Sequence, residues 1–156
     1  MTPQKILLIT SKIKYDNFTD EEDYLVKTPR QVLSTKLGIC YDIVELERLL
    51  FNQSGYKTRT YFIYNEPIES HPTHTFLIFE ERGKLFWFES SWYQQRGIHG
   101  PFDSYKNVLL FVVKKINYKK PKIRAYNKFN YSGMNINEFG NYIINNFRER
   151  QLNDLF

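Results

Sequence analysis

At 156 residues, with 42% hydrophobic and 25% charged content, the chain can bury about two-thirds of the surface its unfolded form exposes, which leaves no room for a second core. Aromatic residues make up 17%, with 13 Phe and 12 Tyr, a composition that favours strands and thick two-layer cores. The net charge of +5 is uneven, because Lys106 to Gly133 carries eight basic residues and no acidic one, leaving the remainder at −3. A single cysteine excludes an internal disulfide, and Ile6-Leu7-Leu8-Ile9 is too short for a secretion signal or a membrane span. A soluble cytoplasmic protein without membrane contact is the expectation, although secretion without a cleaved signal would leave no trace in the sequence.

Taken in order, the chain opens with that short apolar segment and runs into Asp20-Glu21-Glu22-Asp23, read as a solvated turn or a helix's first turn. Thr28-Pro29 reads as an N-cap followed by proline at the first helical position, opening a short helix that Gly38 closes. From Cys40 to Phe51, Ile43, Val44, Leu46, Leu50 and Phe51 recur at helical spacing, with Asp42, Glu45, Glu47 and Arg48 on the other side. Asn52 to Gly55 is a turn signal, and Tyr56 to Tyr64, rich in Thr and aromatics, reads as a strand.

Asn65 to Pro72 holds two prolines and no period and is expected to be a surface loop. Thr73 to Glu81 and Lys84 to Trp92 follow as two strands joined near Arg82-Gly83 in a hairpin. Gly97 to Ser104 reads as another loop. Asn107 to Tyr118 reads as a buried strand, since Val108 to Val113 is continuously apolar. Lys119 to Gly133 shows no clean period. Asn135 reads as an N-cap, and Ile136, Phe139, Ile143, Ile144 and Phe147 form a helical stripe that ends the domain over about 136–150. The chain has no internal repeat or low-complexity tract, so residues 1–156 are read as one domain.

The chemistry concentrates in Cys40, His74 and Glu89. A thiol attacks a carbonyl as thiolate, and a helix start favours that anion through its dipole and free backbone N–H groups. Cys40 stands where a helix is expected to begin, so its own N–H can also face a developing oxyanion. A buried structural cysteine is the alternative reading. His74 opens one strand of the hairpin and Glu89 lies near the end of the other. A two-residue loop at Arg82-Gly83 places Glu89 opposite Phe76 and diagonal to His74 on the same face; a four-residue loop, Glu80 to Gly83, places the two directly opposite. A three-residue loop ending at Gly83 puts them on opposite faces, leaving Glu89 as an exposed strand-end carboxylate.

Gly38-Ile39-Cys40-Tyr41-Asp42 before an amphipathic helix, His74-Thr75-Phe76-Leu77-Ile78-Phe79, a glycine turn, and Lys84-Leu85-Phe86-Trp87-Phe88-Glu89 together resemble the transglutaminase-like superfamily over about residues 28–103. The resemblance implies an α+β fold with a papain-like core, in which a helix carrying the cysteine packs on an antiparallel sheet carrying the histidine and the acid. Cys40 would be the nucleophile, His74 the base and later acid, and Glu89 the group orienting the imidazole. Glu89 departs from the aspartate more often found in that family. Asp42 is a rival acid and, as the alternative, a first-turn carboxylate; Gln31 is a candidate second oxyanion donor or an exposed helical residue.

The implied activity is acyl transfer from a peptide, isopeptide or side-chain amide through a thioester on Cys40, taken as hydrolysis by a protease or amidase. Protein-glutamine transglutaminase or deamidase activity is the alternative. His71 and His99 read as surface loop residues, without neighbours at metal-ligand spacing, and the sequence has no phosphate loop or zinc motif, so neither a metal nor another cofactor is expected. A rival of another class is a non-catalytic binding protein. It would use Lys114, Lys115, Lys119, Lys120, Lys122, Arg124 and Lys128, interleaved with Tyr118, Tyr126 and Phe129, to hold nucleic acid or an acidic partner. A solvated basic surface is the simpler reading of that segment.

Overall fold

The computed structural model describes residues 1–66 and 73–149. The chain is α+β, and its centre is an antiparallel five-stranded sheet covered by helices on both faces. The sheet contains β3 (Lys57–Asn65), β4 (His74–Glu81), β5 (Lys84–Glu89), β6 (Gly97–Phe102) and β7 (Pro121–Tyr126), in the order β6-β5-β4-β3-β7. A separate parallel pair joins β1 (Lys14–Tyr15) to β2 (Leu37–Gly38), setting Tyr15 opposite Gly38.

The helices are α1 (Pro3–Thr10), α2 (Pro29–Thr35), α3 (Cys40–Gln53), α4 (Tyr105–Ile116) and α5 (Ile136–Asn146). Strand alternation sorts the core into two sides. Leu77, Phe79 and Phe88 meet Ile43, Leu46, Leu50 and Phe51 of α3, while Phe62 joins Phe139 and Ile143 of α5. On the other face, Tyr61, Ile63, Phe76, Ile78 and Trp87 meet Val108, Leu109 and Val112 of α4. Each fully buried aliphatic residue of this kind contributes about 1.5–3 kcal/mol, so α4 is held chiefly by these three side chains. No helix among the described residues is long and apolar enough to cross a membrane.

Several expected elements differ. Asn107 to Tyr118 is not a strand but most of α4, which Ser104 starts by accepting a hydrogen bond from the Asn107 N–H at 3.2 Å, and which Asn117 ends in the left-handed region at φ 58°. A continuous apolar run fits either element; here the buried Val108, Leu109 and Val112 share a helical face and Leu110 is exposed. Gly97 to Ser104 is largely β6 rather than loop, and its proline is tolerated because β6 is an edge strand whose outer side needs no donor. Pro121 to Tyr126 of the unpatterned basic stretch is β7, so the expected basic strand and loop of 106–133 is a helix, a strand and their connections.

The helix after Thr28 has the expected cap, with Thr28 and Gln31 bonding each other's backbone N–H, but it closes at Lys36, whose φ is 58°, and not at Gly38. The Lys84 strand stops at Glu89 instead of Trp92, because the Glu89 carboxylate accepts the Ser91 and Trp92 N–H groups and turns the chain. The terminal helix ends at Asn146, short of 150. The expected loop before His74, with His71, lies from residue 67 onward outside the described residues.

Candidate active site

Cys40 begins α3, and the sequence around it fixes that position. The N-cap residue Ile39 has no side-chain oxygen, so Asp42 supplies one, accepting the Ile39 N–H at 2.8 Å. Asp42 also accepts the Lys27 N–H at 2.6 Å and the Tyr24 hydroxyl, tying the 24–27 segment to the start of α3. Burial pushes the Asp42 carboxyl up, opposed by the bonds from Tyr24, Ile39 and Lys27. Asp42, the rival acid, is thus a helix-start clamp. On the preceding side, the Lys14 and Asp16 N–H groups donate to Lys36 and Gly38 carbonyls at 2.9 and 3.0 Å. Position 38 is crowded: a Cβ there would lie 3.2 Å from Asp42 Cβ and 3.3 Å from Ile43 Cγ1, so a larger residue would press on the start of α3.

His74 opens β4 and Glu89 ends β5. The hairpin between them has the two-residue loop, with Glu81 paired to Lys84 and Leu77 to Phe88, and Arg82 and Gly83 at φ 52° and 77° as a hairpin turn of left-handed residues demands. Continued one step, this register sets Glu89 opposite Phe76 and beside His74. His74 Nε2 and Glu89 Oε1 are 2.6 Å apart in the buried interior. The other oxygen, Oε2, accepts the Ser91 N–H and Oγ–H at 3.1 Å each and the Trp92 N–H at 3.0 Å. A buried carboxylate would be costly if unpaired; four donors resolve that cost.

With Nε2 engaged, Nδ1 is the nitrogen left for the thiol, and Cys40 is within hydrogen-bonding reach of the imidazole. Burial opposes the imidazolium charge, but Glu89's charge, the bond with Cys40 and the bond with Glu89 outweigh it and raise His74 to about 10. The carboxylate of Glu89 thus favours the imidazolium form of His74. The ring is fixed between Phe76, stacked at a centroid distance of 6.1 Å, and Trp92, edge-on at 5.7 Å.

The polar side of α3 is buried as well as its apolar side. Asp42, Glu45, Glu47 and Arg48 are all buried, and Leu49 is the exposed residue of that stretch. Arg48 donates from Nη2 to Glu45 at 3.1 Å and to Thr60 Oγ1 at 2.7 Å, and Ser90 Oγ donates to Glu47 Oε2 at 2.6 Å, while Glu47 Oε1 is buried without a hydrogen-bond partner among the described residues. Glu47 was not legible as part of the site, yet it lies two helical turns after Cys40 on the same face. Burial, then the neighbouring charge of Glu89, pushes the Glu47 carboxyl well up.

Cys40 and His74 open into one cleft of about 450 Å³, walled by Tyr15, Trp92, Tyr93, Ile116 and Tyr118. It lies at the end of the sheet where α3 starts, β4 starts and α4 finishes. Two other surface hollows, one around Lys120 to Lys122 and one around Phe129 to Tyr131, border neither Cys40 nor His74. Gln31, the candidate second oxyanion donor, is exposed and occupied as a helix cap. His99 is not a surface loop residue: it sits on β6, half-buried, stacked on Trp87 at 4.4 Å and bonded to the Gln95 carbonyl. Among the described residues no group of three or more His, Cys, Asp or Glu is placed to hold a metal ion.

The basic segment is less free than its sequence suggests. Lys122 pairs with Glu149 at 3.2 Å and Glu66 at 3.7 Å, and Arg124 donates to the Phe147 carbonyl and Tyr64 hydroxyl. Tyr126 is buried and Phe129 stacks on Tyr142, so neither offers a face to a nucleic-acid base. Lys114, Lys115, Lys119, Lys120 and Lys128 remain exposed. No family model matches the chain, and no curated protein matches it.

Proposed function

We propose that this chain is a cysteine enzyme with a papain-like, transglutaminase-like core that transfers the acyl group of a peptide, isopeptide or side-chain amide through a thioester on Cys40. The observation carrying the reading is the convergence of a helix-start thiol with a buried, Glu89-bonded imidazole on one cleft. Three ordinary structural residues would not need to meet there. Resemblance to the family in residue order and context supports the same roles.

In the proposed reaction, the Cys40 thiolate attacks the amide carbon beside the His74 imidazolium, and the carbonyl oxygen becomes an oxyanion. The Cys40 backbone N–H, at the first turn of α3 and without an intrahelical acceptor, faces that charge. Collapse breaks the C–N bond while His74 gives its proton to the departing amine, leaving a thioester and a neutral imidazole. His74 next takes a proton from the incoming acceptor, and the thiolate leaves. Glu89 keeps the ring oriented throughout through its bond to Nε2. Water is the proposed acceptor, making the chain a protease or amidase, and the exposed ring of Tyr93 beside Trp92 offers apolar surface to an extended peptide.

Incubating wild type and Cys40→Ala with a peptide library, with and without a primary amine, tests this by product mass. Cleavage in wild type alone establishes the hydrolase. Amine incorporation or conversion of glutamine to glutamate would assign transglutaminase or deamidase activity instead. Identical product spectra for the two proteins, together with no acyl adduct on Cys40, would refute the enzymatic reading.

A further inference from the structure

Attack at a carbonyl needs two donors to hold the oxyanion well, and the backbone of Cys40 provides one. The cleft narrows the choice of the second. The Thr73 hydroxyl is bonded to the Tyr41 hydroxyl, and the Ser91 Oγ–H and the Trp92 N–H both donate to Glu89. Of the other donors lining the cleft, Tyr93, Gln94, Tyr118, the Trp92 indole and Tyr15, Tyr15 is the one carried on the strand paired beside the nucleophile's own segment, and its hydroxyl makes no hydrogen bond among the described residues. Its backbone is held by the β1–β2 pair directly opposite Gly38, two residues before the nucleophile, so the ring's origin is fixed relative to the sulfur.

We propose that Tyr15 is the second oxyanion donor, its phenolic O–H turned to the acyl oxygen as Cys40 attacks. This rests on the cysteine-enzyme reading above. The phenol keeps its proton throughout: the S–C bond forms, the carbonyl electron pair moves onto oxygen, and the O–H only donates a hydrogen bond. Burial, then the nearby charges of Cys40 and Asp42, pushes the Tyr15 hydroxyl up, so it remains a donor across the working range. Nothing local in the sequence marks this residue, because β1 has only two residues and is joined to the site through β2.

Two reactions at the same sulfur separate this role from a structural one. With p-nitrophenyl acetate, the thiolate attacks the acetyl carbon through an oxyanion, the C–O bond breaks, and p-nitrophenolate leaves with the electron pair. With iodoacetamide, sulfur displaces iodide at a saturated carbon and no oxyanion forms. Acylation is read as p-nitrophenolate release after subtracting Cys40→Ala, and as an acetyl adduct on Cys40. Tyr15→Phe is expected to acylate about 10- to 100-fold more slowly than wild type, the range expected for one partly exposed donor, while its alkylation rate stays within about twofold. Equal acylation by Tyr15→Phe and wild type would overturn the proposal, as would equal slowing of both reactions, which would make Tyr15 a support for Cys40. If wild type neither releases p-nitrophenolate faster than Cys40→Ala nor forms an acetyl adduct on Cys40, the cysteine-enzyme reading fails, and this inference with it.

Discussion

Glu89→Gln is the substitution that most fully exposes how the site is held. In the native protein Glu89 Oε1 meets His74 Nε2 at 2.6 Å, while Oε2 takes three donors from Ser91 and Trp92. A glutamine oxygen can replace Oε2 toward those donors, which turns its NH₂ toward Nε2. The imidazole must then accept at Nε2 and carry its proton on Nδ1, the nitrogen that has to receive the thiol proton. The glutamine also removes the charge that does most to raise His74 from 6.5 to about 10. Burial lowers an imidazole pKa and only Cys40 remains to oppose it, so His74 in the variant should titrate well below its native position.

The linkage has a definite sign. His74 is raised in the folded state, so its contribution to stability is complete below pH 6.5 and is lost as pH rises towards about 10. At 1.36 kcal/mol per pH unit that contribution is at most about 5 kcal/mol. The variant should lack this slope. The assay is the nitrogen shift of the His74 ring against pH, assigned with His74→Ala, alongside urea unfolding across the same range. An unchanged His74 titration in Glu89→Gln would refute the argument.

Three further substitutions probe the scaffold. Asp42→Ala removes the acceptor of the Tyr24 hydroxyl and of the Ile39 and Lys27 N–H groups, and should lower unfolding free energy in urea by about 3 kcal/mol or more, at 1–3 kcal/mol per orphaned group. Glu47, raised above 4.5 mainly by burial and then by Glu89, binds its proton more tightly in the folded state, so its contribution falls as pH rises above 4.5; Glu47→Gln should therefore gain stability relative to wild type as pH rises from there, by the same titration. Arg82→Asn, at a position with φ 52°, should raise the thermal midpoint by the equivalent of about 0.5–1 kcal/mol, since asparagine tolerates that region better.

The His74 and Glu89 pairing was legible only conditionally: hairpin parity brings them together for a two- or four-residue loop and separates them for a three-residue one, and Gly83 suits both the two- and three-residue forms, so the observed register was needed to decide. Cys40 at a helix start was legible from the apolar period that follows it. The burial of Asp42, Glu45, Glu47 and Arg48 was not, because helical spacing reveals one apolar face and says nothing of what covers the others. Here residues as remote as Tyr24, Thr60, Ser90 and Tyr126 pack or bond against α3, and Leu49 is left exposed instead. Helix α4 was misread because Val108 to Val113 lacks an alternation, although Ser104, Asn117 and the terminal Lys114 and Lys115 are its capping and charge signals. Tyr15 reaches the cleft through a two-residue strand, a tertiary fact without a local pattern.

The most direct test of the central claim is the rate of Cys40 alkylation by iodoacetamide as a function of pH. If Cys40 and the Glu89-held His74 form a thiolate–imidazolium pair, alkylation should already be fast below about pH 7 and should collapse there in His74→Ala. A rate that is negligible at neutral pH and rises only above about pH 8, the behaviour of an isolated thiol, would contradict it.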